Sequence, residues 1–193
     1  KVATADLTLP TRYKVTAAAN DKYIMFAGGH TSSTASSAIV DVFNNVLTKQ
    51  SAPDLYNGVG EAAGANIGNY LLIAGGYRHT KNNYIYRSEA NAYDATLTRS
   101  TPANLTTVRR NAAGINFANR AFIIGGENKI GSYLSSTNTY DSSLVRRIGP
   151  TLSSTADNPK VALIENNLLV FNGTMVNLIT PTFTRTTLSD LPY

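Results

Sequence analysis

Tyr70-Leu71-Leu72-Ile73-Ala74-Gly75-Gly76 is a short apolar run stopped by two glycines, and the chain repeats it three more times. Tyr23 to Gly29 reads YIMFAGG, Arg120 to Gly126 reads RAFIIGG, and Asn167 to Gly173 reads NLLVFNG. From Gly28 to Gly75 is 47 positions, from Gly75 to Gly125 is 50, and from Gly125 to Asn172 is 47. A steady spacing in that range is the mark of a repeat architecture.

Anchors away from the glycines keep the same register. Phe43-Asn44-x-x-Leu47-Thr48-Lys49 returns as Tyr93-Asp94-x-x-Leu97-Thr98-Arg99, as Tyr140-Asp141-x-x-Leu144-Val145-Arg146, and as Ile179-Thr180-x-x-Phe183-Thr184-Arg185. Eight positions further stand Leu55, Leu105, Leu152 and Leu191.

Each period reads as four strands. The first is moderately apolar, starting at Lys14, Glu61, Asn111 and Lys160, and a tight polar turn follows it at Asn20-Asp21, Gly68-Asn69, Ala118-Asn119 or Asn166-Asn167. Asn, Asp and Gly tolerate the left-handed backbone that short hairpins need. The second strand is the glycine-ended run, apolar at consecutive positions, which predicts burial on both faces. Long loops are expected at His30–Ser37, Tyr77–Ser88 and Glu127–Ser136, then a third strand, the Tyr-Asp turn and a fourth strand. The fourth copy has no long loop, and its outer strand is expected at Thr182–Leu191.

Small antiparallel sheets whose second strand is buried on both sides have one common solution, stacking around an axis as the blades of a β-propeller. The expected fold is therefore all-β, a single repeat array over residues 1–193. Residues 1–10 read as the outer strand of a preceding blade, followed by blades at 11–55, 56–105, 106–152 and 153–193. In the opening segment Leu9 is placed in the repeat's leucine position. The glycines Gly28, Gly29, Gly75, Gly76, Gly125, Gly126 and Gly173 are read as structural, allowing close backbone approach where the strand ends.

The composition agrees, with 42% hydrophobic and only 15% charged residues among many Thr, Ser, Asn and Gly. No apolar run approaches the ~20 residues that cross a bilayer as a helix. With no cysteine in the sequence, disulfides, thiolate metal sites and cysteine nucleophiles are excluded. The net charge of +5 is partly a product of the repeat, since Lys49, Arg99, Arg146 and Arg185 share one position on the outer strand. Basic residues there discourage edge-to-edge pairing. No basic run interleaves with aromatics, which argues against a nucleic-acid partner. The chain opens on Lys1 instead of Met, and the expectation is a removed leader or a longer parent.

The order of strand, Gly-Gly, loop, Tyr-Asp, turn and a fourth strand near Pro-x-Leu resembles the kelch repeat along nearly the whole chain. Kelch repeats carry a Trp after the Tyr, whereas this chain has none. The stretch from Ala92 to Arg110 resembles kelch-like repeats of bacterial surface proteins and phage or prophage tail proteins. The resemblance implies a kelch-type propeller acting as a binding scaffold, at a cell surface, outside the cell or on a virion. Kelch-type rings have more than four blades, so a ring completed by a second copy, or by sequence beyond this chain, is expected.

Loops after the second and fourth strands of such a sheet emerge at the same end. That end is expected to gather Tyr77, Arg78, His79, Tyr84, Tyr86 and Arg87 with His30, Lys81, Glu127, Asn128 and Lys129. The other loop set brings Arg12, Tyr13, Tyr56, Asn57, Arg109 and Arg110. Tyr and Arg combine large contact area with hydrogen-bonding tips, as binding hot spots do. His30 and His79 follow their glycine pairs at different offsets, which argues against one repeated metal ligand. Asp94 and Asp141 sit in the repeated turn, where they bond their own backbone. No catalytic set, metal or cofactor is assigned. The reading these features favour is a non-enzymatic recognition module for a protein or glycan; a structural assembly component of a virion or surface filament and a carbohydrate-active enzyme are the alternatives.

Overall fold

A computed structural model describes residues 6–8, 11–81, 83–172 and 175–188. The expectations attached to residues 1–5, to Leu9, to Gly173 and to Leu191 fall outside these. Among the described residues there is no helix; strands form four antiparallel four-stranded sheets and three two-stranded ribbons.

Sheet I holds Thr16–Ala19, Tyr23–Ala27, Val40–Asn44 and Lys49–Gln50. Sheet II holds Ala63–Ile67, Tyr70–Ala74, Ala90–Tyr93 and Arg99–Ser100. Sheet III holds Ala113–Phe117, Arg120–Ile124, Thr137–Tyr140 and Arg146–Ile148. Sheet IV holds Lys160–Ile164, Asn167–Asn172, Met175–Ile179 and Arg185–Leu188. Each is a plain meander in chain order, and stacked in sequence they make a propeller-like array.

The turns follow from their residues. Ile67 pairs with Tyr70 across Gly68 at φ +53°, and Phe117 pairs with Arg120 across Ala118 and Asn119 at φ +47° and +57°. In sheet IV the turn is Glu165-Asn166, one position before the expected pair, because Asn167 already pairs with Ile164. At the outer turn the Asp94 Oδ1 accepts the N–H groups of Thr96 and Thr98 at 2.8 and 3.0 Å, and Asp141 does the same for Ser143 and Val145. The repeat's Leu47, Leu97, Leu144 and Phe183 all stand there in the left-handed region, at φ +59° to +63°. That conformation is costly for a branched side chain. Burial of Leu97 between sheets I and II, and packing of Leu144 and Phe183 at the next two junctions, offset it.

Three apolar clusters fill three junctions. Met25, Ala27 and Val42 of sheet I meet Leu71, Ile73 and Tyr93 of sheet II. Leu72, Ala74 and Ala92 meet Ala121, Ile123 and Tyr140 of sheet III, and Phe122 and Ile124 meet Leu168, Val170 and Ile179 of sheet IV. The inner strands approach backbone to backbone. A Cβ at Gly64 would lie 2.0 Å from the Ala17 carbonyl oxygen, and one at Gly114 would lie 2.1 Å from that of Gly64.

Two expectations are corrected. Burial of the second strand on both faces holds in sheets II and III, but sheets I and IV alternate, because only one of their faces has a sheet against it. The long loops are hairpin ribbons instead: His30–Ser32 pairs with Ala35–Ser36, Tyr77–Thr80 with Asn83–Tyr86, and Glu127–Lys129 with Ser132–Tyr133. Their strands are polar and built on Thr and Tyr, so pairing there shows no apolar alternation.

Candidate functional site

The ribbons rise at the end where the linkers between sheets arrive. Single bridges tie the two sets together: Tyr13 to His30, Gly60 to Tyr77, and Arg110 to Glu127. Lys14, Glu61 and Asn111 follow in left-handed conformation, and the latter two each donate a backbone hydrogen bond to the one before. The Glu61 N–H donates to the Lys14 carbonyl at 3.1 Å, and the Asn111 N–H to the Glu61 carbonyl at 3.0 Å. Repeat geometry thereby sets unlike side chains side by side around one centre.

His30, Tyr77 and His79 form the buried floor of this cluster. The two imidazoles stack with centroids 4.3 Å apart, and His30 meets the edge of Tyr77 at 4.7 Å. The His79 Nδ1 lies 2.7 Å from the Ser33 carbonyl, which can only accept, so Nδ1 carries the proton. In the neutral ring its Nε2 accepts the Tyr77 hydroxyl at 2.8 Å, and that hydroxyl in turn accepts Lys14 Nζ at 3.4 Å. Ser36 Oγ accepts the His79 N–H at 2.9 Å and lies 2.8 Å from His30 Nδ1. The His30 ring is packed on Gly60, where a Cβ would come within 2.3 Å of Nε2, and that nitrogen has no hydrogen-bond partner. Burial, with the nearby His79, Lys14 and Arg110, lowers the His30 pKa to about 4, so the ring is neutral near pH 7.

Charge alternates around this floor. Lys14 pairs with Glu61; Arg110 lies 3.4 Å from Glu61 and 2.6 Å from Glu127. The Arg110 guanidinium also lies over Tyr77 and Tyr86, at 4.9 and 5.4 Å from the ring centres. Desolvation pulls the Arg110 pKa down, but Glu127 and Glu61 outweigh it, and the net shift is upward. Burial raises the Tyr77 and Tyr86 hydroxyls, keeping them protonated donors. The Tyr86 hydroxyl is buried without a partner.

Above the floor two rings face solvent. Tyr84 is 48% exposed and meets His79 and Tyr77 at 5.0 and 5.7 Å; Tyr13 is 43% exposed and meets His30 at 5.5 Å. Arg78 is exposed on the other face of the ribbon, paired with Ile85, and Lys81 is exposed at its turn, while Arg87 is half-buried and 3.1 Å from Glu89. A groove of about 510 Å³ lies at the opposite end, among Asn116, Asn119, Leu163, Glu165 and Asn166.

Arg78 and Arg87 apart, the expected residues divide into three groups. Tyr13, Tyr77, His79, Tyr84, Tyr86 and Arg110 come together in one cluster, joined by His30 and Glu127. Tyr56 stands apart on the outer side, its ring 5.8 Å from the Arg99 guanidinium. Arg12 and Arg109, expected on the ligand-facing loops, are instead buried braces. Arg12 donates to the Gly28 and Ile39 carbonyls at 2.8 Å and pairs with Asp41; Arg109 donates to the Gly125 and Ser136 carbonyls at 2.9 Å. Both fill the same repeat position and clamp the point where a second strand leaves for its ribbon.

Two groups escaped the sequence reading. Lys14 and Glu61 read as the first residues of the inner strands, although they directly follow Tyr13 and Gly60 at the repeat spacing. A third-strand polar position, Asp41, Asn91, Asn138 and Asn177, binds the incoming linker: their Oδ1 atoms accept the N–H of Thr8, Tyr56, Thr106 and Ser153 at 2.7 to 3.1 Å. Its signal was legible as Asp or Asn two positions before the repeat's Phe, Tyr or Ile. It also aligns Leu7 with Leu55, Leu105 and Leu152, since each of these directly precedes the bound N–H.

No family model matches the sequence, and no curated protein does. Among solved structures, the chain is similar to that of YjhT with a TM-score of 0.63 and 13% identity, over 71% of this chain and 45% of that one. The likeness is one of fold, and it takes in less than half of YjhT.

Proposed function

We propose that this chain is a non-enzymatic recognition module of the kelch-type β-propeller kind, its four sheets serving as blades, which binds a protein or glycan ligand on the ribbon-rich end. The observation that carries this reading is the pair of exposed rings, Tyr84 and Tyr13, mounted on a buried, hydrogen-bonded floor of His30, Tyr77 and His79. A tyrosine held this way offers a large amphipathic face with little rotamer entropy left to lose. Lys81 adds a cationic donor at the ribbon's turn, and Arg78 another on the ribbon's outer face. Phage tail and bacterial surface proteins, whose kelch-like repeats the chain resembles, are the setting this reading favours.

The test is a screen of the labelled chain on glycan and protein arrays, followed by titration of any hit with Tyr84→Ala and Arg78→Ala. Both side chains are exposed, so thermal unfolding should stay as in the wild type. Binding should fall on the order of tenfold or more for Tyr84→Ala, as for a hot-spot aromatic. A hit whose affinity ignores both substitutions would move the ligand site off this end.

A further inference from the structure

Positions that are buried at every internal junction are open on the two outer faces of the array. On the backward-facing side, Leu71 and Ile73 of sheet II, Ala121 and Ile123 of sheet III, and Leu168 and Val170 of sheet IV are all buried. Their equivalents in sheet I are Ile24, 38% exposed, and the half-buried Phe26. The left-handed turn leucine tells the same story, since Leu97 is 5% exposed against its neighbour sheet and Leu47 is 51% exposed.

The forward-facing side repeats the pattern. Ile67 and Phe117, at the ends of inner strands, are buried, and their sheet IV equivalent Ile164 is 54% exposed. Leu72 and Phe122 are buried, while their equivalent Leu169 is half-buried, as are Phe171 and Leu178. Sheet IV therefore ends in the kind of face that sheets I to III each lay against a following sheet, and sheet I in the kind that sheets II to IV each offer to a preceding one.

We infer that the forward face of sheet IV docks on the backward face of sheet I in a second copy of this chain, and the reverse, so that two copies close one ring of eight sheets. One occupant satisfies both faces at once, because the two belong to the two sides of the same stacking contact. Leu169, Phe171, Leu178 and Ile164 against Ile24, Phe26 and Leu47 is an apolar pairing of the same make-up as the three internal junctions. Eight sheets is the upper end of the usual propeller range, and a third copy would exceed it. The contact is head to tail, each copy using two different faces.

This junction differs from the internal ones in one respect. Within the array each linker hydrogen-bonds the preceding sheet beside its Gly-Gly: the N–H groups of Gly29, Gly76 and Gly126 donate to Val59, Arg109 and Ala156 at 2.7 to 2.8 Å. The second strand of sheet IV ends at Asn172 and its third begins at Met175, with no ribbon between them. The contact between copies rests on side-chain packing and depends on concentration.

Sedimentation and light scattering of the purified chain over a range of concentrations test this. The expected mass is twice the 20.7 kDa of one chain. Ile24→Lys removes one face and Ile164→Lys the other, so each variant alone should run as a monomer. Mixed, they should recover a species of twice the chain mass through the one intact junction. Far-ultraviolet circular dichroism confirms folding, with Leu47→Lys as a second variant on the sheet I face. A wild-type monomer at all concentrations, a dimer unaffected by either lysine, or a mixture that stays monomeric would each overturn the inference. Tyr84→Ala should leave the mass unchanged, so failure here is separable from failure of the ligand site.

Discussion

His30 links burial to acid stability. Its pKa drops from 6.5 to about 4 on folding, so between those values the unfolded chain binds more protons than the folded one. Stability should therefore fall as pH falls from 6.5 toward 4, by an amount on the order of 3 kcal/mol at about 1.4 kcal/mol per pKa unit. Urea unfolding at pH 7 and pH 5 measures the slope. His30→Gln should flatten it in this window, and an unchanged slope would place the acid response in other groups. Arg109 gives a second prediction at this scale. Burial lowers its pKa to about 10, so it stays charged at neutral pH, held by the carbonyls of Gly125 and Ser136 and by Ser136 Oγ. Arg109→Ala strands those buried acceptors, at a cost on the order of 1–3 kcal/mol each. It should lower the urea midpoint far more than Arg78→Ala, which removes an exposed side chain.

At the scale of elements, two glycines of the same sheet should behave differently. Gly68 lies in the inner hairpin turn at φ +53° with nothing within 4 Å of a Cβ, and the equivalent residue of sheet III is Ala118 at φ +47°. Gly68→Ala should cost about 1 kcal/mol of backbone strain. Gly64 has an ordinary strand conformation, but a Cβ there would meet the Ala17 carbonyl oxygen at 2.0 Å. Gly64→Ala must push two inner strands apart, and overpacking of this kind costs roughly 1–3 kcal/mol or more. Chemical denaturation of the two variants should rank Gly64→Ala as clearly the more damaging. Equal midpoints would mean that sheets I and II are held less closely than the structure has them. The contrast was partly legible in advance, since the hairpin turns announce themselves by Asn and Gly. The closeness of Gly64 to Ala17 was not, because those residues are 47 positions apart.

Across the whole molecule, the same repeat position does different work in each sheet. The position of His30 holds Tyr77 in sheet II and Glu127 in sheet III, and that of Tyr13 holds Gly60 and then Arg110. Stacking brings the two series together, so a regular scaffold carries an irregular, chemically mixed surface at one end. Association of two copies and binding at that end use separate surfaces, and the lysine variants and Tyr84→Ala should report on them independently.

The period, the four strands of each sheet, most of the turn residues and the propeller-like stacking were determined by the sequence, because they rest on neighbours a few positions apart and on a spacing that can be counted; the ribbon strands were not, since their polar residues show no apolar alternation. The tertiary structure decided which side chains are covered. Ile24 and Leu71 read alike in sequence, yet one is open and the other sealed, since burial depends on whether another sheet lies across the face. Arg12 and Arg109 read as loop cations until the strand ends they clamp were seen folded around them. His30 and His79 became neighbours only because two ribbons from different sheets lean together, and no local pattern encodes a contact made across 49 positions of chain.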